Sequence, residues 1–270
     1  MRKLLTMTMA LVLAATLGQA QTNASGLISL DTGEASRGWE AVGRLDIAGR
    51  GFCTGALISE RLVLTAAHCL YGLDGRKLEP ESFTFHAGLR AGRAEASRGV
   101  RSFVAHPDYQ HRGAVAQSDA IAVDIAVLEL DRPIRQTRIQ PFEIAARPGE
   151  GDEIGVVSYG RGREDAASLQ EVCAVLGEQG GMVVMNCDVD FGSSGSPVFS
   201  FKTGEPQIVS VVSAMAQFGE SDVSLGTSLQ EPLWRLLRHY ESIGPANPGG
   251  TQRLITSGER NDTGAKFVRP

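Results

Sequence analysis

The sequence has little that would indicate a nucleic-acid, nucleotide or metal-binding protein. Its 26 Lys and Arg residues are outnumbered by 31 Asp and Glu residues, giving a net charge of −5. The basic surface that nucleic acids require is therefore not indicated. The sequence has no internal repeat and no glycine-rich nucleotide-binding pattern, and its four cysteines lack the paired C-x-x-C spacing of zinc sites. We predict no nucleic-acid partner, no metal and no cofactor.

Long apolar runs are absent beyond the first twenty residues. That first stretch has a charged start at Arg2 and Lys3, an apolar middle over 4–17, and the small residues Gly18 and Ala20 near its end. A membrane anchor is the alternative, but the apolar run is shorter than the roughly 20 residues that a span needs. We predict a signal peptide over 1–20, and a secreted or periplasmic protein with no membrane association after its removal.

Cysteine is scarce as well, with four residues at positions 53, 69, 173 and 187. Disulfides are typical of exported proteins, and four cysteines allow three connectivities. We take the local pairing, Cys53 with Cys69 and Cys173 with Cys187. Each bridge would close a loop of about 15 residues and contribute roughly 3 kcal/mol by the chain-entropy model.

Helical periodicity is rare in this chain. Short apolar runs broken by Gly, Pro and Asp occur in two series, which predicts an all-β protein of two units joined near 131–147. Glu231 and Pro232 begin the one predicted helix, whose apolar face includes Trp234. Residues 21–37 are predicted to be an extended or mobile lead-in or a short pro-segment, and residues 244–270 a disordered tail.

Three stretches carry residues suited to catalysis. His68 follows the apolar run Leu62–Ala67, and Asp124 is the one carboxylate entering the apolar run 123–128. A buried carboxylate needs a partner, and an imidazole N–H is suitable. Ser194 lies in the glycine- and serine-rich stretch 192–196, where a tight turn can aim backbone N–H groups at an oxyanion.

Serine, histidine and aspartate together can activate a hydroxyl for acyl transfer. Ser194 would be the nucleophile, His68 the general base and then acid, and Asp124 the residue that orients the imidazole. The N–H groups of Gly192 and Ser194 would form the oxyanion hole. Taken one at a time, a glycine–serine cluster is more often a turn and a histidine more often a structural residue.

The order His68, Asp124, Ser194 and the sequences around these residues resemble the trypsin/chymotrypsin-like serine endopeptidases. The resemblance is carried by Leu-Thr-Ala-Ala-His-Cys at 64–69, Asp-Ile-Ala-Val-Leu at 124–128 and Gly-Ser-Ser-Gly-Ser-Pro at 192–197. It covers residues 38–243 and implies two packed, antiparallel six-stranded β-barrels of the chymotrypsin type with a C-terminal α-helix. It also implies protein or peptide substrates and supports the Cys53–Cys69 bridge. We expect a monomer.

The sequence departs from the family pattern at Ser193. Trypsin-type members carry Asp there, paired with an amino terminus released by cleavage before Ile or Val, and no such cleavage sequence precedes His68. The neutral residue resembles the bacterial glutamyl-endopeptidase-like branch. We expect other contacts, such as the Cys173–Cys187 bridge, to hold the oxyanion loop.

Four residues are candidates for the substrate pocket. Asp188 lies six residues before Ser194, where an acid would favour Arg or Lys before the scissile bond, although the adjacent Cys187 departs from the trypsin pattern. Ser213 is expected to contact substrate backbone, Met215 to narrow the pocket mouth, and Gly226 to line the pocket. No histidine of the kind used by glutamyl-specific relatives occurs in 210–215.

Two other functions remain open at this point. One is a binding protein that keeps the fold without cutting, which a complete set of three catalytic residues argues against. The other is an esterase-type hydrolase, whose Gly-x-Ser-x-Gly turn and Ser-first order differ from those of this chain.

Overall fold

A computed structural model of the protein describes residues 26–113, 118–219 and 221–243. The predicted signal peptide over 1–20 and the predicted disordered tail over 244–270 lie outside these residues. Within them, the chain forms two closed antiparallel β-barrels, few helices and a C-terminal α-helix. The predicted fold class is confirmed.

The first barrel closes in the strand order β2-β3-β4-β7-β6-β5. Its strands turn their apolar side chains inward, and Leu45, Leu57 and Phe85 are completely buried. The six strands are β2 (Val42–Ile47), β3 (Gly51–Leu57), β4 (Leu62–Thr65), β5 (Phe83–Ala87), β6 (Ala96–Ala105) and β7 (Ala126–Leu130). The connection that follows β7 runs over 131–152 and leads to the second barrel.

The second barrel closes in the order β8-β9-β10-β13-β12-β11, because β9 pairs with both β8 and β10. Apolar side chains such as Ile154, Val183 and Val198 fill its core. Its strands are β8 (Glu153–Gly160), β9 (Arg163–Gln179), β10 (Met182–Met185), β11 (Pro197–Ser200), β12 (Gln207–Phe218) and β13 (Ser221–Ser228).

The described part of the lead-in is extended and packed. A two-residue strand, β1 (Ile28–Ser29), pairs with β9 through Leu169 and Ser168. Leu27 and Leu30 on either side of β1 are buried. Ile28–Ser29 therefore adds a seventh strand beside β9 of the second barrel, and the apolar stretch Gly-Leu-Ile-Ser-Leu at 26–30 is too short to reveal it from the sequence.

Two α-helices are described, α1 (Ser118–Ile121) and α2 (Gln230–Ile243). In α2, Leu233 and Leu236 are buried at the spacing of one helical face. Trp234 was predicted to lie on that face, but it is 56% exposed and its ring lies under the guanidinium of Arg238. The residue is one position from Leu233, about 100° around the helix, and so points away from the barrels. No helix among the described residues is both long and apolar enough to cross a membrane.

Two disulfides join Cys53 to Cys69 and Cys173 to Cys187, which confirms the predicted local pairing. The first links β3 to the segment after β4, and the second links β9 to the segment after β10. All four cysteines are buried. Each bridge therefore closes a loop next to a residue predicted to be catalytic or pocket-forming.

Removal of the Cys173–Cys187 bridge is expected to destabilise the protein. We expect the Cys173→Ala/Cys187→Ala variant to lose about 3 kcal/mol in free energy of unfolding, because the unfolded chain regains the entropy of its closed loop. Urea unfolding of the variant beside the wild type measures this loss. A free energy unchanged within about 0.5 kcal/mol would contradict the expectation.

Candidate active site

His68 is presented by a short 3₁₀ helix (Ala67–Leu70) that directly follows β4. Cys69 and Leu70 anchor this turn in the core, whereas the His68 side chain is 21% exposed. The turn is fastened by Arg50, whose Nη1 donates to the carbonyl oxygens of His68 (3.0 Å), Cys69 (3.2 Å) and Tyr71. The histidine is thus held at the edge of the barrel with its ring accessible.

Asp124 lies between α1 and β7 and is only 3% exposed. Its Oδ2 lies 2.6 Å from Nδ1 of His68, and its Oδ1 accepts a hydrogen bond from the His68 backbone N–H at 2.8 Å. The Ser213 hydroxyl, from β12 of the second barrel, donates to Oδ2 at 2.5 Å. With Nδ1–H donated to the carboxylate, Nε2 of His68 is the nitrogen that can accept a proton.

The environment of Asp124 favours its ionised form. Burial raises the pKa of Asp124, but the neighbouring His68 and hydrogen bonds from His68 and Ser213 outweigh it and hold that pKa below its ordinary value of 3.8. A carboxylate with a lowered pKa in the folded state stabilises the protein above its unfolded pKa. That stabilisation is lost as the pH falls through the folded pKa.

We therefore expect acid to weaken the wild type more than the Asp124→Asn variant. In urea unfolding between about pH 5 and about pH 2, the free energy of unfolding should fall more steeply for the wild type, because only it must protonate Asp124. The Asp119→Asn variant, altered at an exposed carboxylate, serves as the control. Parallel curves for the wild type and the Asp124→Asn variant would count against the expectation.

Ser194 lies in the loop between β10 and β11 and is partly exposed. The loop is hydrogen-bonded to Thr54, a completely buried residue of the first barrel. The Thr54 N–H donates to the Ser194 carbonyl at 2.8 Å, and the Thr54 hydroxyl donates to the Gly192 carbonyl at 2.9 Å. The same hydroxyl accepts the Tyr159 N–H at 3.1 Å. One threonine thus connects the loop that carries Ser194, β8 and the first barrel.

Two glycines allow the loop to pack this closely. Gly195 has φ +81°, and a Cβ there would lie 2.1 Å from Thr65 Oγ1 and 2.3 Å from the Thr54 carbonyl oxygen. Gly192 has φ +99°, and a Cβ there would lie 2.2 Å from the Phe52 ring. Only glycine meets both demands. The loop that carries Ser194 therefore packs against Phe52 and Thr54 on β3 and against Thr65, three residues before His68.

Within the described residues, no hydrogen bond joins Ser194 Oγ to His68, a contact that often tightens only when substrate binds. In the same part of the chain, the N–H groups of Gly192 and Ser194 have no internal acceptor, while their carbonyl groups are fixed by Thr54. Both amides are consequently available to an oxygen atom that lies beside Ser194.

The four residues predicted to form the substrate pocket have different environments in the structure. Asp188 is exposed along a surface cavity of about 520 Å³, beside Leu27 and Arg163. Ser213 is bonded to Asp124, and Met215 lies further along β12, 47% exposed. Gly226 lies on β13, where a Cβ would be 2.5 Å from Ser210 Oγ. The structure brings the Ser213 hydroxyl to Asp124 and places Asp188 along the surface cavity beside Arg163, and the substrate contacts of all four residues stay predictions.

Three residues of the site were not found from the sequence: Arg50, Thr54 and Arg163. Arg50 supports the His68 turn, Thr54 supports the Ser194 loop, and Arg163 contacts Ser193. Each acts across a large separation in the chain, for which no local pattern exists. The neutral Ser193 was the one signal, because it required another support for the loop.

One group of potential metal ligands occurs among the described residues: Cys53, His68 and Cys69, whose ligand atoms lie within 4.8 Å of one another. The two sulfur atoms are bonded to each other. Neither is a free thiolate, so the group does not have the ligands that zinc requires.

The two closed barrels and the residues that meet between them define a protein of the chymotrypsin-like fold. The chain belongs to the trypsin family, whose family profile matches residues 32–224. This membership supports a serine protease hydrolase.

Curated relatives agree with the family, and one solved structure shares the fold. The chain is 31% identical to human Transmembrane protease serine 7 over 134 residues, which are 47% of this chain and 15% of that protein. It is 35% identical to a trypsin of Phaedon cochleariae over 108 residues, 38% of this chain and 36% of that trypsin. The matches thus span well under two thirds of these relatives. A solved Glu endopeptidase in complex with MPD shares the fold, with a TM-score of 0.62, 20% identity, and coverage of 76% of this chain and 91% of that one.

Proposed function

We propose that this chain is an exported serine endopeptidase that hydrolyses peptide bonds through an acyl-enzyme on Ser194. The proposal is carried by one observation: the buried Asp124 carboxylate, hydrogen-bonded to His68 Nδ1 at 2.6 Å, leaves Nε2 as the nitrogen that can accept a proton. The loop that carries Ser194 packs, at Gly195, against Thr65 and Ala66, three and two residues before His68. A buried carboxylate at this place serves to fix the tautomer of the imidazole and to stabilise the imidazolium.

The reaction follows from these positions. The Ser194 oxygen attacks the substrate carbonyl carbon while His68 Nε2 takes the serine proton. The resulting oxyanion accepts hydrogen bonds from the Gly192 and Ser194 N–H groups. His68 then protonates the leaving amine as the C–N bond breaks, and a water molecule releases the acyl group by the same steps. This chemistry uses no metal or organic cofactor.

The compartment and partners follow from the same proposal. Two disulfides are typical of proteins outside the reducing cytoplasm, so removal of the signal peptide would release a secreted or periplasmic enzyme. Its substrates would be proteins or peptides, and it would act as a monomer. The neutral Ser193 favours the glutamyl-endopeptidase-like branch of the family.

A preference for cleavage after Arg or Lys would depend on the charge of Asp188. Asp188 would supply the negative charge, but Arg163 lies close enough to interact with it electrostatically. A neighbouring cation offsets the attraction of a carboxylate for a basic side chain. We therefore expect at most a modest preference for basic residues before the scissile bond.

Digestion of a denatured protein by the purified mature chain tests the proposal, with cleavage sites determined by mass spectrometry. Cuts by the wild type and none by Ser194→Ala would support it, and the residues before the cuts would test the role of Asp188. Labelling by a fluorophosphonate, lost in Ser194→Ala, would identify the nucleophile. An absence of both cleavage and labelling would favour a non-catalytic binding protein.

A further inference from the structure

Ser193 lies directly before the proposed nucleophile, is completely buried, and has no hydrogen-bonding capacity left. Its hydroxyl accepts from Nη2 of Arg163 (3.2 Å) and from the Asp190 N–H (3.2 Å), and it donates to the Tyr159 carbonyl (3.2 Å). A hydroxyl offers one donor and two acceptor positions, so each is filled. The interior of the loop 190–194 is therefore fixed through this side chain.

Arg163 joins this loop to the neighbouring strand. Its Nη1 donates to the carbonyl oxygen of Ser158 (2.6 Å) and to the Ser158 hydroxyl (3.0 Å), while Nη2 reaches Ser193. Gly160 makes room for the group, since a Cβ there would lie 2.7 Å from Nη2. The planar fork of the guanidinium is suited to holding two partners in fixed directions.

Charges around Arg163 keep it cationic. Burial lowers the pKa of Arg163, and the carboxylates of Asp188, Asp190 and Glu164 oppose that change. A guanidinium stays protonated in proteins. The loop is thus held by the charged guanidinium of Arg163, which donates a hydrogen bond to the neutral hydroxyl of Ser193. Nearby carboxylates offset the positive charge.

We propose that Arg163 is the positioning residue of the oxyanion loop: by bridging Ser158 and Ser193 it holds the Gly192 and Ser194 amides toward the substrate without help from a newly cut amino terminus. The Cys173–Cys187 bridge fixes only the start of the segment, five residues before Gly192. The expected effect of Arg163 on catalysis rests on the proposed function. Its expected effect on the structure of the loop does not.

The Arg163→Ala variant tests the proposal, with Arg147→Ala as the control, because Arg147 forms an exposed ion pair with Glu178. With p-nitrophenyl acetate as substrate, we expect kcat to fall about 100-fold in Arg163→Ala and KM to change by less than about threefold, as for loss of an oxyanion-hole donor. Guanidinium ion added at millimolar concentration should restore part of kcat. Arg163→Lys should recover less than half of the wild-type kcat, since an ammonium lacks the fork.

Hydrogen exchange provides a readout that does not depend on activity. Deuterium uptake in peptides covering 188–197 should rise in Arg163→Ala and stay unchanged in Arg147→Ala, with first-barrel peptides unaffected. A uniform rise over the whole chain, an unchanged loop, or a kcat equal to that of Arg147→Ala would each overturn the proposal. A wild type that neither labels nor cuts, with uptake rising only in the loop, would overturn the proposed function and leave the positioning role supported.

Discussion

Replacing both Ser194 and His68 by alanine will lower kcat no further than replacing either one alone. We expect each single variant, and the double variant, to lose about 10⁶-fold, because the proposed nucleophile and its proposed base would transfer one proton as a unit. Some rate above that of water should remain, since the backbone amides still bind the oxyanion. The measurement is kcat on one peptide substrate for the three variants and the wild type.

His86→Ala is the matched control for this series. Its side chain is 22% exposed, close to the 21% of His68, and it also lies beside a carboxylate, with Nε2 3.4 Å from Asp46. It lies on β5 of the first barrel and touches nothing that we assign to catalysis. We expect its kcat to stay within about threefold of the wild type. Additive losses for Ser194 and His68, or an equal loss for His86, would refute the assignment.

The Asp124→Asn variant should lose about 10⁴-fold in kcat while keeping its fold. An amide placed at Oδ2 can donate rather than accept, which favours the imidazole tautomer whose Nε2 already carries a proton. The His68 ring would keep its place but lose the free nitrogen that Ser194 needs. The rate at which a fluorophosphonate labels Ser194 should fall together with kcat, because labelling needs the same proton transfer to His68 in a single chemical step.

Asp119→Asn is the control for this variant, because Asp119 lies five residues before Asp124 in α1 but has a 65% exposed side chain. Its kcat should not change. A large loss in Asp119→Asn with little loss in Asp124→Asn would show that the wrong carboxylate has been assigned.

Much of the fold was predictable because it depends on local patterns. Each strand alternates or concentrates apolar residues over a few positions, and each proposed catalytic residue follows or enters such a run. His68 comes after Leu62–Thr65 and Asp124 before Ala126–Leu130, so their neighbourhood could be predicted from the sequence once two barrels were expected. The local disulfide pairing followed from proximity in the chain.

The supporting contacts could not be predicted, because they join residues far apart in the sequence. Arg163 reaches Ser193 over 30 positions, and Thr54 reaches Gly192 over 138. Ser213 was predicted to contact substrate, and only the packing of the two barrels shows that its hydroxyl is bonded to Asp124. The face of the sheet on which a side chain lies depends on the pairing register of its strand. That register is set by the whole sheet rather than by the local sequence.

The hydrogen bonds of Thr54 make the site depend on the relative position of the two barrels. His68 and Asp124 belong to one barrel and Ser194 to the other, so each barrel alone holds only part of the proposed catalytic set. A relative displacement of the barrels by about 1 Å is enough to cost about 100-fold in rate. A substitution that separated Thr54 from the Ser194 loop is thus expected to lower the proposed activity while both barrels stay folded.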